Sequence, residues 1–121
     1  MSERTTSFLD ALEGLLGAPG ALGAAFIDPQ GEIVARVGDA RATDVLGAYQ
    51  SVWMGELRRA AERSALGEIS DLSFEFEKRR ILTTHVKAGY FVLLVFDAAG
   101  QTHAARLRLD DARVRLAAEI S

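Results

Sequence analysis

Residues 80–97, RILTTHVKAGYFVLLVFD, decide the fold, because the second half of this stretch is apolar at nearly every position. Successive side chains of a strand point to opposite faces, so an unbroken apolar run must be covered on both faces. The Ala88-Gly89 pair inside the stretch predicts a tight hairpin turn. The sequence therefore predicts a hairpin at the centre of a three-layer domain, with helices over both faces of its sheet.

Uninterrupted pairing across that turn would assign every side chain of the hairpin to a face. It joins Lys87 to Tyr90 and continues outward one residue at a time. One face then carries Ile81, Thr83 and His85 with Val92, Leu94 and Phe96, and the other carries Leu82, Thr84 and Val86 with Phe91, Leu93 and Val95.

Composition and charge restrict the class of protein. The chain has 121 residues, of which 49% are hydrophobic and 26% charged, with a net charge of -3 and no cysteine. This composition is typical of one globular domain, expected over residues 1–121. Interspersed charges in an acidic chain argue against nucleic-acid binding. The longest uncharged run, residues 14–27, is too short for a membrane span of about 20 residues. The start lacks a signal-peptide pattern and cysteine is absent, so we expect a cytoplasmic protein without membrane insertion.

The N-terminal part predicts a helix followed by a hairpin. Apolar spacing favours a short helix capped by Thr6 or Ser7. Residues 21–27 read as a strand of small side chains, and the Asp28-Pro29-Gln30-Gly31 sequence suits a type I turn. Residues 32–37 alternate apolar and polar side chains, which completes a first hairpin at a sheet edge.

The rest of the chain predicts a long helix, three strands and a last helix. The long helix is expected from a Thr43 cap to about Ala65, with Gly67 as its terminator. Residues 70–77 alternate as a half-buried strand, whose hairpin with the next strand would pair Phe76 with Ile81 and Phe74 with Thr83. A last helix from Thr102 would bury one stripe, formed by Ala105, Leu109, Ala112, Leu116 and Ile120.

The long helix is apolar over about half its circumference, more than a helix on a sheet normally buries. One stripe holds Leu46, Tyr49, Trp53, Leu57 and Ala60, and its neighbour holds Val45, Ala48, Val52 and Gly55, with Glu56 and Arg59 on the rim. Two interpretations stay open: a wide core face, or close approach of a second copy across a two-fold axis. The helical wheel places Gln50, Met54, Arg58 and Glu62 on the exposed side as a candidate partner-binding ridge.

The segments DPQGEIVA (residues 28–35), LGAYQSVWMGELRRAAERSALGEI (46–69) and RILTTHVKAGYFVLLVFDAAGQTHAARLRL (80–109), in this order of elements, resemble the Roadblock family, which is related to the roadblock-type dynein light chains. The resemblance implies an α/β/α sandwich (α+β) on a five-stranded antiparallel sheet in the order 2-1-5-4-3. It places the long helix on one face and the terminal helices on the other. It also implies homodimers or heterodimers that pair the long helices and the third strands, here residues 45–59 and 71–77.

The family's dimers point to specific interface positions in this chain. The expected interface residues are Val45, Ala48, Val52, Gly55, Arg59, Asp71, Ser73 and Glu75. The resemblance further implies regulation or scaffolding of a small Ras-like GTPase, which would bind the shared helical surface while supplying its own nucleotide site. The partners expected are thus a second copy or a paralogous Roadblock chain, and a small GTPase.

Motifs that carry catalysis or bind cofactors are missing from the sequence. There is no GxxxxGK[ST] loop, no GxGxxG and no G-x-S-x-G elbow. His85 and His103 are too isolated to suggest a metal site, and Asp39 and Asp44 are better explained as charges at a helix start. We therefore expect no enzyme, no cofactor and no metal. A structural self-associating subunit and a small-molecule sensory domain remain the alternatives to a GTPase regulator.

Overall fold

The computed structural model describes the backbone of residues 3–120 and the side chains of residues 7–43 and 52–120. Its elements are α1 (Glu3–Glu13) with a 3-10 turn (Gly14–Gly17), β1 (Ala21–Ile27), β2 (Ile33–Gly38), α2 (Ala40–Arg63), β3 (Asp71–Glu75), β4 (Arg79–Lys87), β5 (Tyr90–Asp97) and α3 (Thr102–Ala118). The five strands form one sheet in the order β2-β1-β5-β4-β3, with every neighbouring pair antiparallel. The predicted element order and strand order are confirmed.

Each face of the sheet carries its own core. On one face α1 and α3 pack against the sheet, and four of the five predicted residues form the buried stripe of α3: Ala105, Leu109, Ala112 and Leu116. The fifth, Ile120, lies beyond the end of the helix and is half-buried. The opposite face, which α2 covers, has a smaller core of Ala25, Ile27, Ile81, Leu93 and Val95. The central strand β5 is buried from Phe91 to Phe96 and contributes side chains to both cores. The three-layer expectation is therefore confirmed.

The central hairpin turns at Ala88-Gly89 as predicted, but its predicted face assignment is wrong. Lys87 pairs with Tyr90 and His85 with Phe91, which leaves Val86 as an extra, unpaired residue in β4. Such a bulge shifts the register by one residue, and a one-residue shift moves every later side chain to the other face relative to its partner strand. Ile81 accordingly pairs with Val95 on the α2 side, whereas Leu82 pairs with Leu94 on the α1/α3 side.

The register of the β3–β4 hairpin also differs from the prediction. Phe74 pairs with Ile81 and Leu72 with Thr83. β3 ends at Glu75, and the backbone N–H of Phe76 donates to the carbonyl of Arg79, 2.8 Å away. The turn is therefore centred on Glu77 and Lys78, one residue earlier than expected. Phe76 lies outside the strand and is exposed rather than buried.

Both predicted helix caps are wrong. α1 already begins at Glu3, so Thr6 and Ser7 lie inside it. α2 begins after Asp39, whose carboxylate accepts a hydrogen bond of 2.9 Å from the backbone N–H of Arg41. Thr43 lies one turn further on and is fully buried. An apolar pattern marks where a helix touches the core, and the first turn can precede that contact.

Candidate interaction surface

The face of α2 that lies on the sheet is not the face that the helical wheel indicated. Met54 is 5% exposed and Ala61 is also buried, so this face lies against the sheet. Val52 is 61% exposed, and Trp53 and Leu57 are exposed as well. The interpretation of the Trp53 and Leu57 stripe as part of a wide core face, and the prediction that Met54 is exposed, are therefore wrong.

The first turn of α2 approaches the sheet closely. A Cβ atom added to Gly23 in β1 would lie 3.0 Å from the γ-methyl carbon of Thr43. Further along the helix the face of Met54 and Ala61 lies on the sheet, while Trp53 and Leu57 remain exposed. A helical wheel locates apolar faces, but it does not tell which of two adjacent apolar faces lies on the sheet.

The exposed apolar side of α2 adjoins the edge strand β3. The ring centroids of Trp53 and Phe74 are 5.2 Å apart, which joins the helix to this strand. Along β3 the alternate side chains of Asp71, Ser73 and Glu75 are exposed. β3 is the last strand of the sheet on its side. An exposed apolar helix face beside an unpaired strand edge is typical of a protein–protein contact.

Of the expected interface residues whose side chains are described, Val52, Gly55 and Arg59 lie on this side of α2. Asp71, Ser73 and Glu75 lie on the edge strand but alternate with Phe74, so they point to the other face of the sheet, where Asp71 pairs with Arg106 of α3 at 3.3 Å. Val52 and Arg59 are exposed and Gly55 is half-buried. The guanidinium of Arg59 forms an ion pair with Glu56 one turn earlier in the helix. A Cβ atom added to Gly55 would meet only the guanidinium nitrogens of Arg59, at 3.8 and 3.9 Å. Val45 and Ala48 lie outside the described side chains.

The candidate partner-binding ridge is not a continuous exposed surface. Met54 is buried, and Arg58 folds back onto the hairpin of β4 and β5. The guanidinium carbon of Arg58 lies 5.2 Å from the centroid of the Phe91 ring, and Nη2 donates a 3.3 Å hydrogen bond to the carbonyl of Gly89. Glu62 is exposed, and Gln50 lies outside the described side chains. Arg58 therefore fastens α2 to the hairpin turn.

A groove of about 630 Å³ opens where the end of α2, the connection to β3 and the β4–β5 turn meet. Its lining residues are Arg58, Ala61, Glu62, Ala65, Gly67, Glu68, Ile69, His85, Gly89 and Phe91. Sequence reasoning missed this groove, because its walls come from segments up to about thirty residues apart and share no local motif. The small residues around Gly67 are the local sign of open space at this point, but the sequence pattern predicts only a helix terminator at Gly67.

Among the described side chains, no three His, Cys, Asp or Glu groups cluster closely enough to hold a metal ion. In the part of the chain that the structure describes, none of the helices combines the length and apolarity that crossing a membrane requires.

Sequence comparison finds neither a family model nor a curated protein that matches this chain. Its fold, however, is similar to several solved structures. Myxococcus xanthus MglB superposes with a TM-score of 0.88 at 17% identity, covering 100% of this chain and 96% of that one. An MglB structure with a tetrameric arrangement gives 0.86 at 18% identity, covering 98% and 91%. A Roadblock/LC7 domain from Streptomyces avermitilis gives 0.75 at 15% identity, covering 85% and 88%. This chain therefore has the fold of the Roadblock family.

Proposed function

We propose that this protein is a non-catalytic interaction module that pairs with a second copy of itself, or with a paralogous Roadblock chain, and regulates or scaffolds a small Ras-like GTPase. The observation that carries the proposal is the exposed apolar side of α2, with Val52, Trp53 and Leu57 beside the β3 edge. A partner that covers apolar side chains of this size removes their surface from water, which stabilises the complex.

Pairing would use α2 and β3 together. The proposed contact residues are Val45, Ala48, Val52, Gly55 and Arg59 on α2 and Asp71, Ser73 and Glu75 on β3. Two β3 edges related by a two-fold axis would satisfy each other's free backbone groups and continue the sheet across the dimer. Gly55 would allow the two α2 helices to approach closely. The tetrameric arrangement of an MglB structure supports self-association as a property of this fold.

The GTPase partner is proposed from the Roadblock resemblance and fold. The paired α2 helices would present a shared surface to the GTPase and bias its conformation, while the GTPase supplies the nucleotide site. Of the four ridge residues, Gln50 and Glu62 are proposed as direct contacts. Met54 and Arg58 would act by holding α2 in place, since Met54 is buried and Arg58 contacts Phe91 and Gly89.

Gly55→Glu tests the pairing, because the monomer should tolerate it. The added side chain has open space apart from the Arg59 guanidinium, and replacing glycine within a helix favours the helix by up to about 1 kcal/mol. We expect sedimentation analysis to give a dimer for the wild type and a soluble monomer for the variant. A wild-type protein that stays monomeric, or an unchanged Gly55→Glu dimer, would contradict the proposed contact.

Co-purification tests the GTPase. A tagged copy expressed in the native cell should retain a small GTPase, and Gly55→Glu should lose it together with the dimer. A dimer that retains no GTPase would leave the protein as a self-associating structural subunit.

A further inference from the structure

The groove at the end of α2 is separate from the proposed dimer contact, because its lining includes none of Val52, Gly55 and Arg59; it shares Glu62 with the proposed GTPase contact. It is lined by residues of a single chain, and its volume of about 630 Å³ falls within the range of ligand sites in proteins. Its floor is the aromatic ring of Phe91, and its walls are Ala61 and Ala65 of the α2 end and Ile69 of the following connection.

Backbone geometry keeps this groove open. Two residues after the end of α2, Ala65 is in the left-handed region, at a φ of 56°, and the N–H of Leu66 donates to the carbonyl of Ala61. Gly67 follows with a φ of 84°, and a Cβ atom placed on it would meet nothing within 4 Å. The two left-handed residues reverse the chain direction, and Glu68 and Ile69 then line the groove opposite His85 and Gly89.

The opposite wall is held in place by two side chains. Arg58 contacts the ring of Phe91 and donates to the carbonyl of Gly89. His85 Nε2 accepts a 3.2 Å hydrogen bond from the N–H of Gly89, and its ring meets that of Phe91 edge-on. These contacts fix the β4–β5 turn, so the groove is preformed.

Charge around the groove favours a cation. Glu62 and Glu68 line it, both are exposed, and neither forms an ion pair with any side chain that the structure describes. The carbonyl end of α2 adds the negative end of the helix dipole. The positive charge of Arg58 is already directed at the Phe91 ring and the Gly89 carbonyl.

We propose that this groove binds an arginine or lysine side chain from an extended peptide segment of another protein. The aliphatic stem would lie on Phe91, Ala61 and Ile69, and the cationic head would reach Glu62 and Glu68. Leu66 beside the groove is exposed and would contact an apolar neighbour in the same peptide. That adjacent contact favours a peptide over a free amine.

The probes are two acetylated and amidated peptides, Leu-Arg-Leu and Leu-citrulline-Leu, in which a neutral isostere replaces the arginine, and agmatine, a small amine that carries the same guanidinium head group without a peptide. Each is titrated into the isotopically labelled full chain and followed by amide shifts in NMR spectra. We expect Leu-Arg-Leu to shift the amides of Glu68, Ile69 and Gly89, and to bind at least about fivefold more tightly than the citrulline peptide.

Matched variants test which carboxylates contribute to the affinity for Leu-Arg-Leu. Glu62→Gln and Glu68→Gln should each weaken Leu-Arg-Leu by roughly threefold, and the double variant by roughly tenfold. Glu13→Gln removes the same charge from an exposed position at the end of α1, across the sheet, and should leave affinity unchanged.

Four results would overturn the proposal: no shift with Leu-Arg-Leu, shifts centred elsewhere, equal affinity for the citrulline peptide, or agmatine binding as tightly as the peptide. The last result would assign the groove to a small amine. The titration needs neither a dimer nor a GTPase, and can be repeated in the Gly55→Glu chain. Its outcome is therefore separate from that of the proposed function.

Discussion

Trp53 on α2 packs against Phe74 on β3, with their ring centroids 5.2 Å apart and their planes tilted by 41°. The contact joins the two elements that the proposed pairing uses. Trp53 is exposed, whereas Phe74 is half-buried and packs against the core on the α2 side, so the pair connects that core to the surface. Any partner that covers α2 would therefore also cover the edge of the sheet.

Two valines with nearly equal exposure give a matched test of which surface self-associates. Val52 on α2 is 61% exposed and Val114 on α3 is 62% exposed. Val52→Glu should shift the sedimentation coefficient from dimer to monomer, because it places a charge in the proposed contact. Val114→Glu adds the same charge on the other side of the molecule and should leave the dimer intact. If Val114→Glu dissociates the dimer and Val52→Glu does not, the interface is on α3 and the proposed contact is wrong.

The single tryptophan of the sequence provides an internal reporter of pairing. Since Trp53 lies on the proposed contact surface, its fluorescence emission should shift to shorter wavelength as protein concentration rises and pairing removes water from the indole. The Val52→Glu chain should keep the emission of the dilute wild type at all concentrations. Emission that stays constant while sedimentation reports a dimer would place Trp53 outside the interface.

Neighbouring arginines on α2 should differ in their contribution to stability. Arg58→Ala removes a contact with the Phe91 ring and a hydrogen bond to Gly89, and should lower the free energy of unfolding by about 1–2 kcal/mol. Arg59→Ala loses an exposed ion pair with Glu56 and should change the free energy of unfolding by less than about 0.5 kcal/mol. Urea denaturation in the Val52→Glu background measures both without a contribution from pairing. Equal effects would mean that Arg58 does not hold the hairpin.

Two alanines at the end of α2 should respond to glycine with opposite signs. Ala65 has a φ of 56°, which costs a residue with a Cβ atom about 1 kcal/mol relative to glycine. Ala65→Gly should therefore raise the free energy of unfolding by about that amount. Ala60→Gly lies within the helix and should lower it by about 1 kcal/mol. A destabilised Ala65→Gly chain would show that the left-handed turn at the groove is absent in solution.

Much of the fold follows from local patterns in the sequence. The apolar run of β5, the turn at residues 28–31 and the buried stripe of α3 were predicted and are confirmed. Each depends on a period of two or of 3.6 residues, or on a turn that a few adjacent residues determine. The position of Val52 and Gly55 on an apolar side of α2 was likewise visible from spacing alone.

The sequence by itself determined which elements form, that the central strand is covered on both faces, and that α2 has more apolar surface than a single sheet contact uses. Only the tertiary structure decided which side of α2 lies on the sheet, because the faces of Met54 and of Trp53 are adjacent and both apolar, and the choice between them depends on packing across the two layers. It also decided the register of the central hairpin, where the extra residue Val86 exchanges the faces of β4. The groove at the end of α2 exists only after three distant segments meet, and so no local pattern of residues could contain it.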